Sequence, residues 1–209
     1  EGGATEALSD YSGNGLPVTT KGDPTWSESG GHDGSGAFVL DGKDNLYAGE
    51  NFPSSSSYTK TAWVCRTGSG GNTVITGDVN SGGHALWAPD SYSNILSGGH
   101  NQNWDIVQDD VVLALDTWFF VALSYNHVDY TMRLYKNGVV IDSATVDSAD
   151  RNVTDESIYV GSFGTGGFFW QGTIDDARIY NRQLSSEQIY ALYTQGSDII
   201  RSNETEETE

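Results

Sequence analysis

β-Branched and aromatic residues gather in short runs along the chain, and Gly, Asn, Asp or Ser closes each run. AFVLDG (Ala37 to Gly42), YTKTAWVC (Tyr58 to Cys65), NTVITGDV, GHALWA, WFFVALSYN, TMRLYKN, GVVIDSATV, SIYVGSF and GTIDDARIY all read as strands. Strands this short and this frequent predict an all-β sandwich or barrel. Within YKNGVV, Asn137-Gly138 separates two strand patterns, so the spacing predicts a two-residue type I′ hairpin.

The last run leads into a different pattern, GTIDDARIYNRQLSSEQIYALY (Gly172 to Tyr193). Strict alternation places Thr173, Asp175, Ala177 and Ile179 on one face and Ile174, Asp176, Arg178 and Tyr180 on the other. Asp176 then pairs with Arg178, while Asp175 points toward a core, where a carboxylate is costly without compensation. Backbone N–H donors or a hard cation such as Ca²⁺ would supply it. Ser185 and Gln188 form a capping box, with Leu184 and Ile189 as a hydrophobic staple. Ile189, Leu192 and Tyr193 share one face, which predicts a short helix ending near Gly196 and lying on an edge of the sandwich.

Composition narrows the picture. A chain of 209 residues suits one domain over residues 1–200, followed by an acidic tail or linker over 201–209. Acidic residues outnumber basic ones 29 to 10, for a net charge of −19, so a phosphate backbone is repelled and nucleic acid is a poor partner. Adaptation to high salt, divalent cation binding and a simply solvated exterior compete to explain the acidity, and the scarcity of Lys, four in the chain, tilts the reading toward a salt-loving source. Cys65 is the one cysteine, so it has no internal disulfide partner, and its apolar run reads it as a small buried hydrophobe. No run approaches the length of a membrane span, and the chain opens on Glu1 without a signal-peptide pattern, as a mature or excised piece would. Acceptor triplets for glycosylation at Asn152 and Asn203 favour an outside location. The tetrapeptide SGGH precedes or contains His32, His84 and His100, and its irregular spacing reads as turn punctuation rather than metal ligation.

Taken together, DYSGNG, GAFVLDGKDNLY, KTAWV, DTWFFVALSYN, MRLYKNGVVI and the closing GTIDDARIYNRQLSSEQIYALY resemble, in order, the signatures of laminin-G-like domains of the concanavalin A-like lectin/glucanase superfamily. The resemblance covers roughly residues 8 to 195 and is poor between Gly68 and Asp110. It implies two stacked antiparallel sheets in a jelly roll, ligands met on the concave face or loop rim, and a structural calcium. Asp175 matches the family's calcium-binding position, with Asp41 and Asp10 as candidate co-ligands.

Hydrolase relatives of this fold carry a Glu-x-Asp-x-(x)-Glu run, and this chain has none. Asp109 and Asp110 read as a solvated strand entrance, and no nucleophile elbow, zinc-protease pair or phosphate loop is present, so the chain is read as non-enzymatic. Aromatics beside amide-rich loops, Trp87, Tyr92, Trp104 and Trp170, are the candidate ligand residues, whereas Trp63 and Trp118 are assigned to structure. The expected function is a carbohydrate-binding or adhesion module of a secreted, cell-surface or virion-exposed protein. A self-assembling unit of a surface layer, filament or virion appendage is the alternative, and glycoside hydrolysis ranks third.

Overall fold

The computed structural model describes residues 3–78 and 82–195. Two seven-stranded antiparallel sheets stack face to face. Sheet A runs β1 (Thr19–Lys21), β4 (Asn45–Glu50), β13 (Ser157–Val160), β6 (Thr73–Thr76), β7 (His84–Trp87), β8 (Ile95–His100) and β9 (Asn103–Val112). Sheet B runs β12 (Val139–Thr145), β11 (Thr131–Lys136), β10 (Trp118–Tyr125), β5 (Tyr58–Arg66), β14 (Gln171–Tyr180), β3 (Ala37–Asp41) and β2 (Thr25–Ser27). All nine predicted strands form. Asn137 and Gly138 both take positive φ, 51° and 76°, as a type I′ turn requires, and Lys136 faces Val139 across it.

Alternation fills the space between the sheets. Ala62, Val64, Val121 and Leu123 from sheet B meet Val74, Leu86, Leu96 and Val107 from sheet A in one buried cluster. Each large side chain so buried contributes on the order of 1.5–3 kcal/mol. Strands β1, β2, β4, β8 and β9 escaped the sequence pattern. In β8, Gly98 and Gly99 read as a turn, yet both lie in extended backbone because neighbours take the room of a side chain: Leu123 lies against Gly98, and Asn103 and Trp104 against Gly99.

A second cluster lies on the outer face of sheet B, where Trp63, Phe120 and Tyr135 receive Leu184 and Ile189. The helix here, α1 (186–195), covers that face rather than an edge. Its capping box forms as expected: the Ser185 N–H donates to Gln188 Oε1 at 3.0 Å, and the Gln188 N–H donates to Ser185 Oγ at 3.3 Å. The expected helix end at Gly196, the acidic tail and Asn203 lie outside the described residues. Cys65 is half-buried rather than enclosed.

Asp175 does not face the core. Opposite β5, Asp175 pairs with Trp63 and Arg178 with Thr61, so β14 carries one extra residue between them, with Asp176 at φ 48°. This bulge resets the alternation. Ile174 and Ile179 both pack on the inner cluster, while Asp175 shares the outer face with Trp63. Arg178 grips Asp176 with two bonds, Nε at 2.7 Å and Nη2 at 2.6 Å, as the sequence predicts.

Candidate functional site

The outer face of sheet A is built in register. Tyr47, Tyr159, Thr76, Ala85 and Gly99 stand opposite one another across five strands. Leu86 points into the core, so its neighbours Ala85 and Trp87 must point outward. There Trp87 meets Tyr92 at 5.5 Å, Phe163 at 5.4 Å and Phe168 at 5.5 Å, and Trp104 meets Phe163 at 5.0 Å. All four pairs are edge-to-face, the arrangement that aromatic quadrupoles prefer. The Trp87 Nε1–H donates to the Trp104 carbonyl at 3.1 Å, which ties β7 to β9 across β8.

Depth divides this cluster into a floor and a rim. Trp87 and Phe163 are buried; Tyr92 and Trp104 are half-exposed; Phe168 is 44% exposed. Phe163 and Phe168 arrive on the connection between β13 and β14, which lies over this face. The Thr76 hydroxyl donates to the Ser162 carbonyl at 2.7 Å, and the Thr73 N–H donates to the Phe168 carbonyl at 3.2 Å. Phe168 takes φ 53°, a strained conformation for an aromatic residue. Its backbone also lies so close to Gly71 that no side chain fits there. Tyr92 ends a 3-10 turn (Asp90–Tyr92), after which Ser93 and Asn94 both adopt φ 58° to turn the chain into β8. Burial, and then the charge of Asp105, raises the Tyr92 hydroxyl above its ordinary pKa.

Three of the four candidate ligand residues therefore meet. Trp170 is the exception, with none of its surface exposed, because it belongs to the core between the sheets. Its backbone N–H donates to the Gly161 carbonyl at 2.7 Å, and its ring lies inward where that of Phe168 lies outward. The sequence assignment was two positions late on this loop. Phe163 and Phe168 were missed; the cue available was the glycines between them, Gly164, Gly166 and Gly167, which mark a connection folded tightly against something.

The expected calcium ligands do not converge. Asp10 accepts bonds from the Ser12 N–H at 2.8 Å, the Ser12 hydroxyl at 2.8 Å and the Leu16 N–H at 2.9 Å, all within its own turn. Asp41 is exposed beside Lys43 and pairs in register with Gln171, four strand positions from Asp175, a span of roughly 13 Å. Asp175 instead meets His32: its Oδ2 accepts from the His32 backbone N–H at 3.0 Å and lies 2.7 Å from His32 Nδ1, while Oδ1 accepts from the Asp176 N–H at 2.8 Å. His32 stacks on Trp63 with ring centroids 4.4 Å apart. Asp33 completes a group whose ligand atoms lie within 4.8 Å of one another. Burial opposes ionisation of Asp33, but bonds from Ser35 and the neighbouring His32 outweigh it and hold the carboxyl below its usual value. Calcium takes six to eight oxygens, and a carboxylate ringed by N–H donors beside an imidazole does not fit that preference. Backbone and imidazole donors compensate Asp175.

Nor do carboxylates pair for acid–base chemistry where the sequence raised the question. Asp109 lies at the far end of β9, buried and bonded to Lys136 of β11, and is not a solvated strand entrance.

These features place the chain among two-sheet, lectin-like jelly rolls. A laminin-G family profile of the concanavalin A-like lectin/glucanases superfamily matches residues 18–190, and the chain belongs to that family. No curated protein sequence matches it. Among solved structures, domain 4 of AbnA, a GH43 extracellular arabinanase from Geobacillus stearothermophilus in complex with arabinotriose, superposes with a TM-score of 0.73 at 23% identity, covering 90% of this chain and 94% of that one. The binding domain of botulinum neurotoxin DC in complex with SialylT gives 0.64 at 19% identity, over 92% of this chain and 49% of that one. The chain thus spans about half the length of that toxin domain. A heptameric SAP-like pentraxin from Limulus polyphemus gives 0.59 at 15% identity, over 74% of this chain and 80% of that one. At these identities the likeness concerns the fold.

Proposed function

We propose that this chain is a non-catalytic carbohydrate-binding module of a protein exposed outside a cell, on its surface or on a virion. The observation that carries the reading is the aromatic cluster on the outer face of sheet A: a buried floor of Trp87 and Phe163 under a rim of Tyr92, Trp104 and Phe168. Sugar rings present apolar C–H faces and polar edges. An exposed aromatic plane beside hydrogen-bonding groups serves both. Asp105 follows Trp104 on β9 and its charge reaches the Tyr92 hydroxyl, and Asp90 opens the turn that carries Tyr92. Support also comes from two structural neighbours solved with saccharide ligands, one of them from an extracellular enzyme. Screening the protein on a glycan array, followed by titration of intrinsic tryptophan fluorescence, tests the reading. Binding of defined saccharides that drops roughly two- to tenfold in each of Trp104→Ala and Phe168→Ala supports it, taking a stacked aromatic as roughly 0.5–1.5 kcal/mol. Silence across the array, or turnover of a bound polysaccharide, would overturn it.

A further inference from the structure

The outer face of sheet A carries negative charge at both ends of its aromatic row. At one end the charge of Asp105 reaches the Tyr92 hydroxyl, whose ring packs on Trp87, and Asp90 begins the turn bearing Tyr92. At the other, the rings of Tyr47 and Tyr159 lie 5.0 Å apart, and the Tyr47 hydroxyl donates to Glu50 Oε1 at 3.4 Å. Asp78, Asp155 and Glu50 all contribute to raising the Tyr159 hydroxyl, after burial. Cations near the cluster among the described residues are engaged with other groups: Arg151, next to the Asp150 that accepts from Asn103, donates to the Val146 carbonyl and lies over the Tyr130 ring. Arg66 is buried and turned inward, donating to the Leu113 and Gly68 carbonyls and to Asn94 Oδ1. Lys60 lies between the sheets, and Arg178 is held by Asp176 on sheet B. Among the described residues the cation–ring contacts fall on Phe52, Tyr58, Phe119 and Tyr130, not on the cluster. Lys21, on edge strand β1 beyond Tyr47, is the basic residue nearest in strand order.

Resting on the carbohydrate-binding reading, we infer that this face selects by charge: it takes uncharged saccharides and rejects those bearing carboxylates, such as sialylated or uronic-acid chains, with Asp105 and Asp90 setting the discrimination at the aromatic rim. A ligand carboxylate stacked at this rim would meet the charge of Asp105, which already acts on the Tyr92 hydroxyl beside Trp87, and like-charge juxtaposition strongly disfavours a wrong partner. A neutral ring meets no such cost. Its hydroxyls donate to the same carboxylates in charge-assisted bonds. The charge of −19 on the whole chain adds a long-range repulsion of the same sign.

The experiment uses pairs of glycans matched in backbone and differing in charge, such as lactose with 3′-sialyllactose and neutral with uronic trisaccharides. They are titrated by tryptophan fluorescence or calorimetry at about 0.01 M and about 1 M salt, where the Debye length falls from about 30 Å to about 3 Å. The quantity read is the ratio of affinities within a pair. At low salt the neutral member is expected to bind at least about tenfold more tightly, with the ratio shrinking at high salt and in Asp105→Asn. Glu187→Gln removes the same unit of charge on α1, which covers the outer face of sheet B, and should leave the ratio as it is. Equal affinity within pairs at low salt overturns charge selection while leaving carbohydrate binding intact. Equal loss of the ratio in Glu187→Gln overturns the assignment to Asp105. Absence of binding by either member of every pair overturns the carbohydrate reading itself, and the selection with it.

Discussion

Lys60 Nζ lies 2.7 Å from His84 Nδ1 in the centre of the sandwich, and neither residue exposes any surface. His84 Nε2 faces the Ser157 carbonyl at 3.1 Å and so carries the ring proton, which leaves Nδ1 to accept from Lys60. Lys60 also donates to the Ile75 carbonyl at 3.1 Å, and even a neutral amine has enough N–H groups for both bonds. Burial pushes Lys60 well below the ordinary lysine value, and burial together with Lys60 does the same to His84. Burial takes His100, opposite His84 on β8, down to about 3.

The sign of the pH effect follows. All three groups bind protons more weakly folded than unfolded, so stability rises with pH wherever the unfolded chain holds the extra proton. For the histidines the loss begins as pH falls through 6.5; for Lys60 the gain continues upward toward 10.5. Tyr58, Tyr125 and Tyr159 are raised by burial and reverse the trend above about pH 10, where the unfolded chain sheds their protons first. Denaturant unfolding across pH 5–10 should therefore give maximal stability on the alkaline side of neutrality, with a slope of up to about 1.4 kcal/mol per pH unit per proton. Lys60→Met should flatten the rise between pH 7 and 9. A maximum near pH 6 in the wild-type protein would contradict this account.

Residues two apart on one loop should behave oppositely. Trp170→Ala empties a core position and should cost about 3–5 kcal/mol in thermal or denaturant unfolding. Phe168→Ala removes an exposed ring and should change stability by less than about 1 kcal/mol while weakening glycan binding.

Gly71→Ala offers a test of the rim without touching an aromatic. The added methyl group collides with the Phe168 backbone, so the loop must move. Glycan affinity should fall together with stability, and a crystal structure of the variant should show Phe168 displaced from Trp87. Unchanged binding and an unmoved ring would mean that Phe168 is not held in place from this side.

Asp175→Asn should destabilise the protein by about 1.5–3 kcal/mol, since it weakens charge-assisted bonds from His32 and Asp176 at a largely desolvated position. Because N–H donors already compensate that carboxylate, chelator treatment should leave the unfolding midpoint in place. A rise of several degrees on adding Ca²⁺ to chelated protein, lost in Asp175→Asn, would restore the ion to this site.

Local pattern carried the sequence reading a long way and then stopped where tertiary contacts decide. The Asn137-Gly138 hairpin and the Ser185–Gln188 cap depend on residues within a turn of one another, and both form. Strand β8 depends on Leu123 and Trp104 filling the space beside two glycines, which no local window contains. Asp175 was placed on the wrong face because one left-handed residue, Asp176, shifts the alternation by a single position. Trp87, Tyr92 and Trp104 were found because aromatics beside amide-rich loops attract attention wherever they occur. Phe168 was not, since a loop's outward and inward residues alternate without a strand to announce the phase. The Lys60 and His84 pairing joins β5 to β7 in opposite sheets, and only the stacking of the sheets creates it.

The position of β14 bears on how the chain is made. The last strand among the described residues is not at a border of its sheet; it inserts between β3 and β5, which emerge far earlier. Until residue 180 clears the ribosome, those two strands present unpaired edges toward each other, and the nascent chain stays open to mispairing with its neighbours. Truncation before Gln171 should therefore yield an aggregating fragment rather than a smaller folded domain, and in vitro refolding should be slow because its closing step joins distant parts of the sequence.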